Sequence, residues 1–122
     1  MIYNINPHTK PRMVRSDSWK KRKCVLKYWA FKDEIRAAGV TIPDKCYVIF
    51  NVPMPRSWSK KKRNDFNLQP HQTTPDIDNL LKALFDAVFD DDSHIYEVYK
   101  KKQWAEVGSI EIGEIEKEVL IF

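Results

Sequence analysis

Between Cys46 and Val52 the chain reads CYVIFNV, a run of β-branched and aromatic residues without a charge. Such a run predicts a strand that is well covered, at the centre of a sheet. The helix that could cover it follows at residues 79–89, NLLKALFDAVF. There Leu81, Leu84, Phe85 and Val88 recur at i, i+3, i+4 and i+7, the spacing of one buried helical face. A second helix is predicted from Trp19 to Ala38. Its apolar positions are Val25, Tyr28, Trp29, the stem of Lys32 and Ile35, with Ser18 as its cap and Gly39 as its stop. Further strands are expected at Ile2–Ile5, at Ile95–Lys101 (IYEVYKK) and from SIEI at 109. Residues 114–122 would form a last strand or short helix.

Two stretches resist this reading. Residues 7–18 hold two prolines and no periodicity, so a loop is expected. Residues 53–74 (PMPRSWSKKKRNDFNLQPHQTT) combine three prolines with a basic run, and a loop of that length inside a compact domain usually has a function. At 122 residues one domain spanning 1–122 is expected.

Charge is lopsided. Residues 1–63 carry 16 Lys/Arg against 4 Asp/Glu, a net of +12, while residues 64–122 carry 5 against 13, a net of −8. Clusters at 20–23 (KKRK), 60–63 (KKKR) and 100–102 (KKK) suggest an anionic partner such as nucleic acid. No apolar run reaches the roughly 18 residues of a membrane span. Cys24 and Cys46 form no C-x-x-C pair, and the first residues lack the apolar stretch of a signal peptide. These features suggest an intracellular, reduced protein.

The acidic excess is concentrated. Between Pro75 and His94 stand Asp76, Asp78, Asp86, Asp90, Asp91 and Asp92. Asp76 and Asp78 are two apart where an extended segment meets a helix, so both carboxylates can point at one spot. Asp91 or Asp92 follows the helix. Three carboxylates converging on a point call for a hard cation, Mg²⁺ or Mn²⁺. Lys82, four residues after Asp78, could stabilise charge on a phosphate, and Asn79 could orient a carboxylate or water. A plainer account has Asp76 and Asp78 capping the helix, Lys82 in a surface ion pair with Asp78, and the aspartate run as a solvated turn.

The pattern D-I-D-N-L-x-K-A-x-x-D-A, here Asp76, Ile77, Asp78, Asn79, Leu80, Lys82, Ala83, Asp86 and Ala87, resembles the RusA family of Holliday junction resolvases. DDSHI (Asp91 to Ile95) and KPRMVR (Lys10 to Arg15) resemble two further segments of that family, and the similarity covers about residues 2 to 112. The resemblance implies an α+β fold, a two-layer α/β sandwich of a small mixed sheet with two main helices on one face. It implies a homodimer that cuts four-way DNA junctions with Mg²⁺ or Mn²⁺, with no membrane partner, in the cytoplasm of a bacterial or phage-infected cell. By motif the metal ligands are Asp76, Asp78 and Asp92, with Asp91 the alternative because three aspartates stand in a row here. Lys82 falls on the family's essential lysine and Asn79 on its neighbour. Lys10, Arg12, Arg15, Lys20, Lys21, Lys60, Lys61, Lys62 and Arg63 would contact DNA phosphates. Trp58 and Phe66 would either stack on an unpaired base or pack the loop. Two other readings remain: a different Mg²⁺-dependent nuclease, acting on flaps or single strands, and a non-catalytic nucleic-acid-binding protein.

Overall fold

The computed structural model describes residues 1–12 and 22–115. The Ser18 cap, the first residues of the expected helix, the basic residues Arg15, Lys20 and Lys21, and the last element beyond residue 115 lie outside them. In chain order the elements are β1 (Ile2–Tyr3), α1 (Lys23–Ala37), β2 (Lys45–Pro53), α2 (Lys60–Phe66), α3 (Ile77–Val88), β3 (Glu97–Ala105) and β4 (Ser109–Glu114). The strands form one sheet in the order β1-β4-β2-β3. CYVIFNV lies inside that sheet as expected, with β2 parallel to β3 on one side and antiparallel to β4 on the other. A parallel pair needs a long crossover. Here the crossover from β2 to β3 carries both α2 and α3.

Cys46, Val48 and Phe50 of β2 and Ile110 and Ile112 of β4 turn towards α1 and α3, and with them form the core. The arrangement is the expected small α+β fold, a mixed sheet with two main helices packed against it. The buried faces of those helices differ in detail from the expected ones. Helix α1 buries Val25, Tyr28, Phe31 and Ile35, whereas Trp29 is exposed. Phe31 lies three residues after Tyr28 and four before Ile35, so it completes the stripe that Trp29 leaves. Helix α3 buries Leu80, Ala83, Leu84, Phe85 and Ala87. Leu81 and Val88 sit at the flank of the core, half-buried. Two adjacent apolar rows were available, and the row of small residues allows the closer approach.

Helix α1 ends where expected. Gly39 has a φ of 65°, and its N–H donates to the Arg36 carbonyl while that of Val40 donates to the Ile35 carbonyl. This double closure satisfies the last carbonyls of the helix. The long loop was expected without secondary structure, yet it contains α2. Ser59 caps α2 by accepting from the Lys62 N–H at 3.2 Å. None of its residues is buried, so it has no apolar period to read. Strand β3 also runs further than expected, to Ala105. Residues 68–71 hydrogen-bond along its outer edge: the Leu68 N–H donates to the Trp104 carbonyl, and the Trp104 N–H to that of Gln69. Among the described residues no helix is long and apolar enough to cross a membrane. Cys24 is exposed, Cys46 is buried, and both are free thiols.

Candidate active site at the start of helix α3

Asp76 occupies the N-cap position of α3, and its backbone carbonyl accepts from the Asn79 and Leu80 N–H groups. Its carboxylate makes no capping hydrogen bond. The simple capping account of Asp76 therefore fails, and the side chain is left exposed beside a cleft. Gln72, Thr73, Thr74, Asp76, Ile77, Asp78 and Lys102 line that cleft. Asp78 and Asn79, in the first helical turn, are exposed as well.

The basic side chains that meet these carboxylates come from β3. Lys100 and Lys102 are two apart on the strand and so project from the same face. Lys100 donates to Asp78 Oδ1. Lys102 Nζ donates to the backbone carbonyls of Thr73 and Pro75, at 2.6 Å each. Those carbonyls belong to the segment leading into Asp76, so one ammonium group fixes the approach of that residue. Neither lysine stood out at the sequence level beyond the charge of KKK at 100–102. The i, i+2 spacing on a strand was the available signal. It becomes informative only once the strand is known to lie beside the start of α3.

Lys82 is exposed, and among the described residues it makes no ion pair. The surface pair between Asp78 and Lys82 that the plainer account called for is not formed, and Asp78 pairs with Lys100 instead. Lys82 stands one helical turn after Asp78 with its ammonium unpaired among the described residues.

Beyond the far end of α3 the second acidic cluster has a different character. Asp91 Oδ1 accepts from the Ser93 N–H at 2.9 Å, and this bond, with a second from the Ser93 side chain, lowers its pKa below the ordinary carboxylate value. Its carboxylate is engaged in closing a turn. The Asp92 carboxylate makes no hydrogen bond or ion pair among the described residues, although its backbone carbonyl accepts from the Ile95 N–H. His94 Nδ1 and Asp44 Oδ1 are 2.7 Å apart on the surface, and the edge of the His94 ring meets Phe89. Asp90 lies past the end of the helix, exposed. Asp86 pairs with Lys10 at 2.8 Å, tying the N-terminal segment to α3. That hydrogen bond raises the Lys10 pKa, and it engages a lysine expected to contact DNA.

The twelve residues of α3 rise about 18 Å; Asp76 and Asp78 stand at its start and Asp92 four residues past its end. Among the described residues no group of three or more His, Cys, Asp or Glu could hold a metal ion. The expected convergence of three aspartates is therefore not present within the described chain. What is present is a pair of exposed carboxylates at one cleft. That donor set suits Mg²⁺, which keeps several waters and takes one or two carboxylates plus a substrate phosphate.

The other basic residues divide in the same way. Arg63 is bound to Glu106 Oε2 at 3.1 Å and to the Pro55 carbonyl at 2.7 Å. Lys62 lies over the Trp58 ring, 4.3 Å from its centroid. Lys60 and Lys61 are exposed on α2 and have no ion pair among the described residues. Trp58 packs against Phe66 and Trp104, and Trp104 in turn against His71, with centroids 5.3, 4.8 and 4.3 Å apart. Of the two roles open to Trp58 and Phe66, packing is the one these contacts show. His71 is buried, and its Nδ1 has no hydrogen-bond partner among the described residues. Desolvation, and then the charge of Lys102, lowers its pKa.

The family model for endodeoxyribonuclease RusA matches residues 5–115. The chain belongs to the RusA family. It is thus an endodeoxyribonuclease of the Holliday junction-resolving kind, and four-way junction DNA is the substrate the family implies. No curated protein and no solved structure matches it. The match takes in every element from α1 to β4, so the cleft at the start of α3 lies inside the RusA region.

Proposed function

We propose that this RusA-family nuclease hydrolyses junction phosphodiesters with a divalent cation, Mg²⁺ or Mn²⁺, held by Asp76 and Asp78, and that it acts in DNA recombination and repair. The observation that carries this reading is the exposed Asp76 carboxylate, left out of the helix cap and facing one cleft with Asp78. When bound there, the cation would polarise the scissile phosphate and acidify a water. The protein's own groups do the rest. Lys102 holds residues 73–75 and so sets where Asp76 stands. Lys82, one helical turn after Asp78 and unpaired among the described residues, would supply positive charge for the phosphate or the leaving oxygen. Asn79, exposed beside Asp78, orients a carboxylate or a water. Lys60 and Lys61, with the basic N-terminal segment that includes Arg12, position DNA through its phosphates without reading sequence.

Asp92 is proposed as a further ligand on the strength of its motif and of a carboxylate unengaged among the described residues; standing past the end of α3, it would have to move to reach the cation, while Asp91 is committed to its turn. A homodimer follows from the substrate. A four-way junction has near two-fold symmetry, and a two-fold dimer presents two sites for paired, symmetric cuts. Cleavage of a four-way junction, a flap, a single strand and a linear duplex should be compared with and without Mg²⁺. The expected result is paired cuts in the junction only, and only with the cation. Equal cutting of flaps or single strands would identify a broader nuclease, and cleavage unaffected by a chelator would remove the cation from the reading.

A further inference from the structure

Lys100 and Lys102 leave β3 on the same face, yet they are held in different ways. Lys102 donates to two backbone carbonyls, neither of which is a proposed cation ligand. The one partner of Lys100 among the described residues is Asp78, a proposed cation ligand. The Asp78 side chain is 78% exposed and that of Lys100 35%, so the pair lies at the mouth of the cleft, open to exchange. An exposed ion pair is weak. A divalent cation at Asp76 and Asp78 carries twice the charge of an ammonium group and repels it at short range. The two cannot share Asp78 on equal terms.

We infer that Lys100 is the counter-ion of Asp78 in the metal-free protein, yields that carboxylate to the cation, and then contacts the scissile phosphate. The inference rests on the proposed cation site. Before the cation binds, Lys100 offsets the repulsion between two carboxylates two residues apart. After it binds, the released ammonium stands beside the cleft without a partner, where the incoming phosphodiester brings a negative charge. No bond to Lys100 is made or broken. Its role is electrostatic, and its four-carbon stem allows the short movement required. Lys82 is already unpaired among the described residues and has no such exchange to make there. The cleft therefore gains a second phosphate-facing lysine, one that becomes available only in the loaded state.

The test compares wild type, Lys100→Met, Lys100→Arg and Asp78→Asn. Mn²⁺ uptake by the DNA-free protein is followed by electron paramagnetic resonance, and single-turnover junction cleavage is measured at saturating Mn²⁺. Without its competitor, Lys100→Met should bind Mn²⁺ about threefold tighter and cleave about 100-fold more slowly. Lys100→Arg should keep wild-type Mn²⁺ affinity and recover most of the cleavage. Tighter metal binding with slower cleavage is a combination that a merely structural lysine would not produce. Unchanged or weaker Mn²⁺ binding by Lys100→Met overturns the counter-ion role, and unchanged cleavage overturns the phosphate contact. A lower melting temperature with both readouts unmoved would make Lys100 a residue of the fold alone. Undiminished Mn²⁺ uptake by Asp78→Asn, or none by wild type, would instead remove the cation site itself.

Discussion

The two ends of helix α3 carry the same chemical group in different circumstances. At its start, Asp76 makes no capping bond and Asp78 meets a lysine from β3. Past its end, Asp91 closes a turn with Ser93, and Asp44 stands beside His94. A carboxylate spent on local structure is not free to bind a ligand, whereas one held only by an exchangeable ion pair is. Sequence alone sees six aspartates; the surroundings divide them into an exposed pair at a cleft at the start of α3, Asp86 tied to Lys10 within the helix, and past its end Asp91 closing a turn beside the exposed Asp90 and Asp92.

That division can be attacked experimentally, and the largest effect is expected at the start of the helix. Asp78→Asn should lower junction cleavage by about 1,000-fold, in the range found for removing a group that stabilises a transition state, while leaving the melting temperature near wild type. Cleavage within tenfold of wild type would erase the distinction between the two ends. Next in size is Lys102→Met, which frees residues 73–75. A displacement of about 1 Å at a reacting group can cost about 100-fold, and lost hydrogen bonds to a charged group should reduce stability by about 1–3 kcal/mol. Single-turnover rates and thermal melts would separate the two contributions. Asp92→Asn sharpens the comparison, because it should cost less than Asp78→Asn. A loss as complete would place Asp92 at the same cation.

Smaller effects concern binding and pH. Replacing Lys60 and Lys61 by Ala should reduce the slope of log affinity against log salt by about 2, one unit for each phosphate contact. Arg63→Ala, which breaks bonds to Glu106 and Pro55, should lower the melting temperature instead. The smallest change is at His71. Its pKa is depressed in the folded protein, so its contribution to stability is present above the unfolded value near 6.5 and is lost as pH falls through the folded value. His8 is shifted in the same direction by burial. Melting temperature should decline below about pH 6.5, and His71→Phe should flatten that decline; an equal decline in the variant would assign it to other groups.

Much of the fold was legible without coordinates. CYVIFNV announced a covered central strand because uncharged β-branched residues have no other stable place, and Gly39 announced the end of α1 because it tolerates a positive φ. The aspartate pair and its following lysine were legible through their spacing, and they carried the resemblance that residues 5–115 bear out. Helix α2 was hidden, since a helix with no buried face leaves no period in the sequence. The choice of Phe31 over Trp29, and of Ala83 over Leu81, was hidden too. Two apolar rows can each satisfy the pattern, and the closeness of packing selects between them.

The amino-acid sequence by itself determined the class of fold, the family and the residue types available for chemistry, because each of these depends on local propensity, periodicity or motif. Tertiary structure decided which of those residues meet. It brought Lys100 and Lys102 of β3 to the start of α3, and left Asp92 beyond the far end of a helix about 18 Å long. Contacts between residues 22 to 29 positions apart depend on how the crossover folds back against its sheet. No local pattern encodes that path, and so the lysines of the site became visible only with the structure.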